Sequence, residues 1–269
     1  MGYFDKKVVW ITGASSGIGK ELAVQLSELG AILVLTARRE NELEKVKQLC
    51  GNAEVHLFPY DLENLENIEE LYRSVIKEVD GIDILINNAG ISAWSSVNET
   101  NLEVYKRVMN LDYFSVVSLT KSVLPDMIKK KSGQIVTNTS LMGKFSSKKR
   151  SVYAGAKHAL HGFIDALRAE VHQYNIKVNT VAPGYVNTEV GIKALVEDGA
   201  SYGKNDRGHD SKGMKVEKAV KVIINSIRKN KREVLVIPTF SILMVASLLS
   251  RFLPGIGAIL ARNFDEDKQ

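Results

Sequence analysis

Tyr153 and Lys157 stand four residues apart in a stretch, Val152 to Tyr174, whose apolar residues recur at helical spacing. Two side chains at that separation share one helix face. A free phenol ionises near pH 10, too high for easy proton exchange at neutrality, and an ammonium beside it favours the phenolate and lowers that value. Such a pair suits acid–base work: the phenol gives a proton to a substrate oxygen in one direction and takes it back in the other. Ser140, thirteen positions upstream and just after an apolar run, supplies a hydroxyl to fix the same oxygen. Asn110 adds an amide within a long helical pattern. Taken singly, none of these is diagnostic: Tyr and Lys at this spacing occur in many helices, a serine after a strand is ordinary, and Asn110 also suits a helix surface.

A pair of this kind needs a frame, and the hydrophobic pattern supplies one. Short apolar runs at Val8–Ile11, Ile32–Thr36, Val55–Phe58, Ile84–Ile86, Gln134–Thr139, Ile176–Val181 and Val234–Ile237 read as strands. They are nearly continuous in apolar character, as strands covered on both faces are. Helical patterns lie between them: Leu22 to Leu29 with Gly30 as a stop, Glu40–Leu49, Asn67–Val79, Leu102–Lys130 with an interruption at Pro125, Val152–Tyr174 and Val216–Arg228. Strands alternating with helices predict an α/β fold, a Rossmann-type doubly wound parallel β-sheet with helices on both faces. One domain is expected over residues 1–238, with 185–215 as a segment covering the substrate and 239–269 as an apolar C-terminal extension.

The first strand ends in Thr12-Gly13-Ala14-Ser15-Ser16-Gly17-Ile18-Gly19, which leads into a helix. Gly13 permits a tight turn, Gly17 lets the backbone approach a pyrophosphate, and Gly19 allows close helix–strand packing, with the helix amides facing the anion. Glycines in this pattern also occur in ordinary turns; the strand–turn–helix context is what favours a dinucleotide. After the second strand, an NAD site wants a carboxylate for the ribose hydroxyls. The chain has Ala37-Arg38-Arg39 instead, two guanidiniums suited to a 2′-phosphate, so the expected cofactor is NADP(H). The plain alternative is a pair of exposed arginines at a strand end.

These motifs, with Asp61-Leu62, Asn87-Asn88-Ala89-Gly90, Asn110, Ser140, Tyr153-x-x-x-Lys157 and Pro183-Gly184 in family order, resemble the short-chain dehydrogenase/reductase family in its single-domain branch, over residues 6 to about 237. The resemblance implies an oxidoreductase acting between nicotinamide and a carbonyl or alcohol. It implies catalytic roles for Asn110, Ser140, Tyr153 and Lys157, with Asn110 holding a water that links Lys157 to solvent and Lys157 also holding the nicotinamide ribose. Cofactor contacts fall on Gly13, Ser15, Ser16, Gly17, Ile18, Gly19, Arg38, Arg39, Asp61, Leu62, Asn88, Ala89, Gly90, Tyr153, Lys157, Pro183, Gly184 and Thr188. Asp61 is implied at the adenine, Asn88 at the central strand and Thr188 at the carboxamide. Asp198-Gly199-Ala200-Ser201-Tyr202-Gly203 resembles the branch of members 7 and 7B, which implies a lipophilic substrate such as a steroid or retinoid. Met142, Phe145, Tyr185 and Val190 are candidates to line its pocket. The competing reading is a catalytically silent NADP-binding sensor or scaffold of the same fold; it expects damage at Ser140, Tyr153 or Lys157, and all three are intact.

Composition narrows the rest. The chain has 269 residues, 45% hydrophobic and 25% charged, ample for a core without cross-links. Its single cysteine, Cys50, excludes an intrachain disulfide and a thiolate metal centre, and His158 and His161 lack further ligands at metal-binding spacing. The net charge of +5 is compatible with anionic partners. No nucleic-acid partner is expected, and no secretory signal is read in the first residues, so an intracellular location is expected. Thr239 to Ser250 is apolar but too short to span a bilayer, and Arg228-Lys229-Asn230-Lys231-Arg232 lies just upstream. That combination suits a peripheral membrane contact, a lid or a subunit interface. A homodimer or homotetramer is implied by the resemblance.

Overall fold

The computed structural model describes residues 2–203 and 213–237. The expected C-terminal extension and the stretch 204–212 of the substrate-covering segment lie outside the described residues. Seven strands form a single parallel sheet in the order β3-β2-β1-β4-β5-β6-β7, where β1 is Val8–Thr12, β2 Ile32–Ala37, β3 Val55–Pro59, β4 Ile84–Asn87, β5 Gly133–Asn138, β6 Ile176–Pro183 and β7 Glu233–Val236. The doubly wound prediction is met, and each strand lies within two residues of its expected limits. The order reverses between β1 and β4, which opens a crevice at their carboxyl ends.

Alternation along β1 shows how the two faces are filled. Val9 and Ile11 pack with Leu22, Ala23 and Leu26 of α1 (Gly17–Glu28), Leu43 and Val46 of α2 (Glu40–Leu49), and Ile223 and Ile227 of α7 (Val216–Arg228). Val8 and Trp10 face the other way, toward Leu71 and Val75 of α3 (Ile68–Glu78), Leu119 and Val123 of α5 (Ser115–Lys130), and Leu160 and Ile164 of α6 (Ser151–Val171). Trp10 is fully buried and its indole N–H donates to Thr36 Oγ1 at 2.9 Å, so its one polar atom is satisfied. All five side chains of β1 are buried, as a central parallel strand requires.

One expectation needs correction. The long helical pattern from Leu102 is not interrupted at Pro125, which lies inside α5. Pro125 and Lys121 are both exposed, so the carbonyl left without a donor at that turn faces solvent, which eases the proline into the helix. The break comes earlier. After α4 (Leu102–Met109), residues Asn110–Phe114 form a wide π-turn in which the Ser115 amide donates to the Asn110 carbonyl.

Candidate active site

Because every strand runs the same way, the segments that follow their carboxyl ends share one edge of the sheet. That edge gathers the glycine turn after β1, Arg38 and Arg39 after β2, Asp61 after β3, Asn88 to Gly90 after β4, Ser140 after β5 and Gly184 after β6. The turn is lined by backbone. Gly13 has φ +64, and a methyl on it would meet the Ala89 Cα at 2.8 Å. A methyl on buried Gly19 would run into the Gly13 carbonyl and the Asn88 amide. Asn88 ties the two central strands together: its Nδ2 donates to the Thr12 carbonyl at 2.9 Å, and its own amide and that of Ala89 donate to Thr12 Oγ1, each at 3.0 Å. Asn138 Nδ2 donates to Asn88 Oδ1 at 2.9 Å, which extends the tie to β5.

Helix α1 starts at this turn. Its N-cap, Ser16, makes no side-chain capping bond, and its first turn carries no acidic residue. The first amides and the positive end of the dipole are therefore left for an anion. Ser15, Ser16, Gly17 and Ile18 are all partly exposed beside them. A glycine-rich turn before an uncapped helix N-terminus fits the diphosphate of a dinucleotide. Thr188 comes close as well, since its Cγ2 would be 3.2 Å from a methyl on Gly17.

At the rim, Arg38 lies 3.3 Å from Glu63 and 3.9 Å from Asp61, and Arg107 of α4 holds the same Glu63 through Nε at 2.8 Å. Asp61 also accepts the Glu63 amide at 3.1 Å. Leu62 between them is buried in the core. Arg39 is exposed at the N-cap of α2, and its charge acts on Glu42 and Glu189, whose carboxyls are held below the usual range chiefly by Lys45 and Lys193. Glu63 and Arg107 were not anticipated from the sequence; an acid two residues beyond Asp61 and a helix arginine are commonplace, and only the fold joins them.

The other side of the crevice is built by side chains. Ser140 accepts the Met142 amide at 3.1 Å and caps the short 3₁₀ turn Leu141–Gly143. Tyr153, partly exposed, lies in the first turn of α6, and Lys157 follows one turn on, its Nζ 5.5 Å from the Tyr153 ring centroid. Lys157 is 4% exposed and forms an ion pair at 2.9 Å with Asp112, which is 0% exposed. Asp112 belongs to the π-turn that Asn110 opens, and its Oδ1 accepts the Ile91 amide at 2.8 Å. The charged partner of Lys157 is thus Asp112, two residues beyond Asn110. Burial alone would pull the Lys157 ammonium down, but the Asp112 carboxylate and, after it, Tyr153 together offset that pull and hold the amine above its ordinary value. Burial pushes the Asp112 carboxyl up, against the pull of Lys157 and the Ile91 amide. No local pattern in the sequence singles out Asp112; its one signal is a lone acid among Leu111, Tyr113 and Phe114.

Below this pair, His161 is pushed down to about 4, first by burial and then by the Lys144 charge; Lys144 itself pairs with Glu233 at 2.7 Å. Above it, the segment after Gly184 folds onto the loop after β4: the Trp94 amide donates to the Leu195 carbonyl and the Leu195 amide to the Ser92 carbonyl, each at 2.8 Å. Pro183 is buried and Gly184 partly so. Met142, Phe145, Tyr185 and Val190 are each partly exposed near these segments.

The family model for short chain dehydrogenases matches residues 7–198. The chain is 44% identical over 234 residues to Dehydrogenase/reductase SDR family member 7 of Mus musculus, covering 84% of this chain and 69% of that protein. It is 40% identical over 243 residues to Dehydrogenase/reductase SDR family protein 7-like of Anopheles gambiae, covering 88% and 76%. Among solved structures, a metagenomic short-chain oxidoreductase in complex with NADP superposes with a TM-score of 0.73 at 25% identity, over 88% of this chain and 99% of the other. A short chain dehydrogenase/reductase from Burkholderia phymatum in complex with NAD superposes with a TM-score of 0.84 at 22% identity, over 98% and 99%, and shares the fold. With the glycine cradle at the switch point of a parallel sheet, these matches identify the chain as an oxidoreductase that belongs to the short-chain dehydrogenase/reductase family.

Proposed function

We propose that the chain is an NADP(H)-dependent carbonyl reductase or alcohol dehydrogenase in which Tyr153 is the general acid and base. The observation that carries the reading is the ammonium of Lys157 one helical turn from Tyr153, 5.5 Å from its ring, on the sheet edge that also bears the glycine cradle. Gly13, Ser15, Ser16, Gly17, Ile18 and Gly19 would hold the diphosphate. Arg38 and Arg39 would hold the 2′-phosphate, Asp61 and the backbone of Leu62 would flank the adenine, and Asn88, Ala89 and Gly90 would border the ribose. Pro183, Gly184 and Thr188 would border the nicotinamide, and Tyr153 and Lys157 its ribose hydroxyls. Bound there, NADPH supplies the hydride for the carbonyl carbon.

In that direction Tyr153 gives its phenolic proton to the carbonyl oxygen, and in the reverse it recovers it. Ser140 donates a hydrogen bond to the same oxygen and fixes its place. Lys157 would set a positive charge beside the phenol and hold the nicotinamide ribose, and Asn110 would orient a water that returns protons from solvent. The partly exposed apolar set Met142, Phe145, Tyr185 and Val190 favours a lipophilic ketone or aldehyde over a polar one, and a small molecule over nucleic acid. The basic and apolar C-terminal sequence supports a peripheral membrane contact or a homo-oligomer.

The deciding measurement is NADPH oxidation against a panel of ketones, aldehydes, steroids and retinals, with Tyr153→Phe beside the wild type. Turnover is expected to fall by about 10³-fold or more in the variant. Undiminished turnover sinks the mechanism, and tight NADPH binding with no turnover of any substrate sinks the enzymatic reading. For the cofactor, Arg38→Ala/Arg39→Ala is expected to erase most of the preference for NADPH over NADH; an unchanged affinity ratio refutes the role of the arginines.

A further inference from the structure

We infer that Asp112 is a positioning residue of this site, the buried counter-ion that keeps Lys157 an ammonium and pins it beside Gly90. The inference rests on the reading of Tyr153 and Lys157 given above and adds a residue to it. Three observations carry it. The Asp112 Oδ2 to Lys157 Nζ distance is 2.9 Å, with both groups out of solvent. The second carboxylate oxygen is fixed by the Ile91 amide at 2.8 Å, so the first is aimed at the amine. The backbone of Gly90 closes over the pair: a methyl there would stand 3.1 Å from Asp112 Oδ2 and 3.3 Å from Lys157 Nζ.

A buried amine without an opposite charge loses its proton, its pKa falling by up to about 3–5 units. A neutral Lys157 would present no positive charge beside Tyr153 and would be a weaker partner for ribose hydroxyls. Asp112 therefore decides whether the residue beside the proposed acid–base group is charged. Its carboxylate also damps the ammonium's field at Tyr153, but damping removes part of that field, whereas deprotonation removes all of it. The other ionisable groups acting on the pair are Tyr153, on α6 itself, and Glu63, from the loop after β3, which reinforces the upward pull on Asp112. The loop after β4 contributes the backbone of Gly90 and Ile91.

Asp112→Asn keeps the shape and an acceptor for the Ile91 amide while removing the charge; Asp112→Glu is the conservative control. The first readout needs neither cofactor nor turnover. Each protein is treated with acetic anhydride over a range of pH, and acetylation of Lys157 relative to exposed Lys20 is followed by peptide mass spectrometry. In Asp112→Asn the relative rate at pH 7.5 is expected to rise at least tenfold, and its pH midpoint to fall by a unit or more. The second readout is the pH profile of kcat/KM for ketone reduction, whose alkaline limb should move toward neutrality by a similar amount and return in Asp112→Glu. Unchanged Lys157 labelling, with an unmoved alkaline limb, overturns the inference even where kcat declines. Should Asp112→Asn fold poorly, Lys157→Met serves as background: adding Asp112→Asn to it raises Tm if the carboxylate is a counter-ion, and a further fall in Tm overturns the proposal. The labelling result stands whether or not Tyr153→Phe retains turnover, so failure of the inference and failure of the proposed mechanism are separable.

Discussion

The two sides of the crevice are made differently. Around the turn after β1, shape is set by main chain: a glycine turn, an uncapped helix start and, from the loop after β4, an asparagine that binds peptide groups of its neighbours. The charged groups on this side, Arg38, Arg107, Asp61 and Glu63, lie at a wet rim. On the α5–α6 side, shape is set by side chains, and the charges, Lys157 and Asp112, are taken out of water. A main-chain site tolerates little added volume and much change of charge. A buried ionic site has the opposite sensitivities, because an uncompensated charge in a low-dielectric interior is costly.

Substitutions test that contrast. Gly19→Val should have the largest effect: its side chain would have to displace the Gly13 carbonyl and Asn88, for a loss of ~4–5 kcal/mol in urea unfolding and no measurable dinucleotide binding. A variant that folds and binds normally would show that the turn can yield. Lys157→Met comes next. It strands the Asp112 carboxylate and should cost about 3–5 kcal/mol. A loss below about 1 kcal/mol would mean that the pair is not sealed from water.

His161, on the same side, sets the pH response. Its folded value of about 4 lies below the ordinary 6.5, so the unfolded chain binds the extra proton more readily. Stability from this residue is complete above pH 6.5 and falls as the pH drops toward 4, by up to about 3 kcal/mol. His161→Leu should flatten that interval in urea midpoints taken at half-unit steps of pH, and an unaltered slope would assign the acid sensitivity elsewhere. Smallest of all is Arg107→Ala on the rim, where an exposed pair is worth about 0.2–1 kcal/mol. A cost as large as that of Lys157→Met would erase the distinction between the two sides.

The same contrast explains what could be read from sequence. Main-chain requirements leave local marks: Gly13, Gly17 and Gly19 sit within seven consecutive residues, and apolar runs located every strand. The spacing of Ser140, Tyr153 and Lys157 was equally visible. The Lys157–Asp112 pair joins residues 45 positions apart, and neither its existence nor its burial has a local signature. The break in the long helix was assigned to Pro125 because proline is the visible breaker. The real one, at Asn110–Phe114, contains neither proline nor glycine.

That π-turn has a meaning in terms of descent. A π-turn holds one residue more than the α-turn it replaces. Losing a single codon within it would restore a regular helix with α5 in nearly its present phase, because the residues of a π-turn sweep about the same angle as one fewer residue of α-helix. The apolar face of α5 would keep its place, whereas the widened turn that presents Asp112 to Lys157 would be gone. The segment is therefore a point where the smallest in-frame deletion would undo the polar centre while sparing the hydrophobic layer. Lineages that retain the buried pair should accept point changes around it while keeping its length fixed.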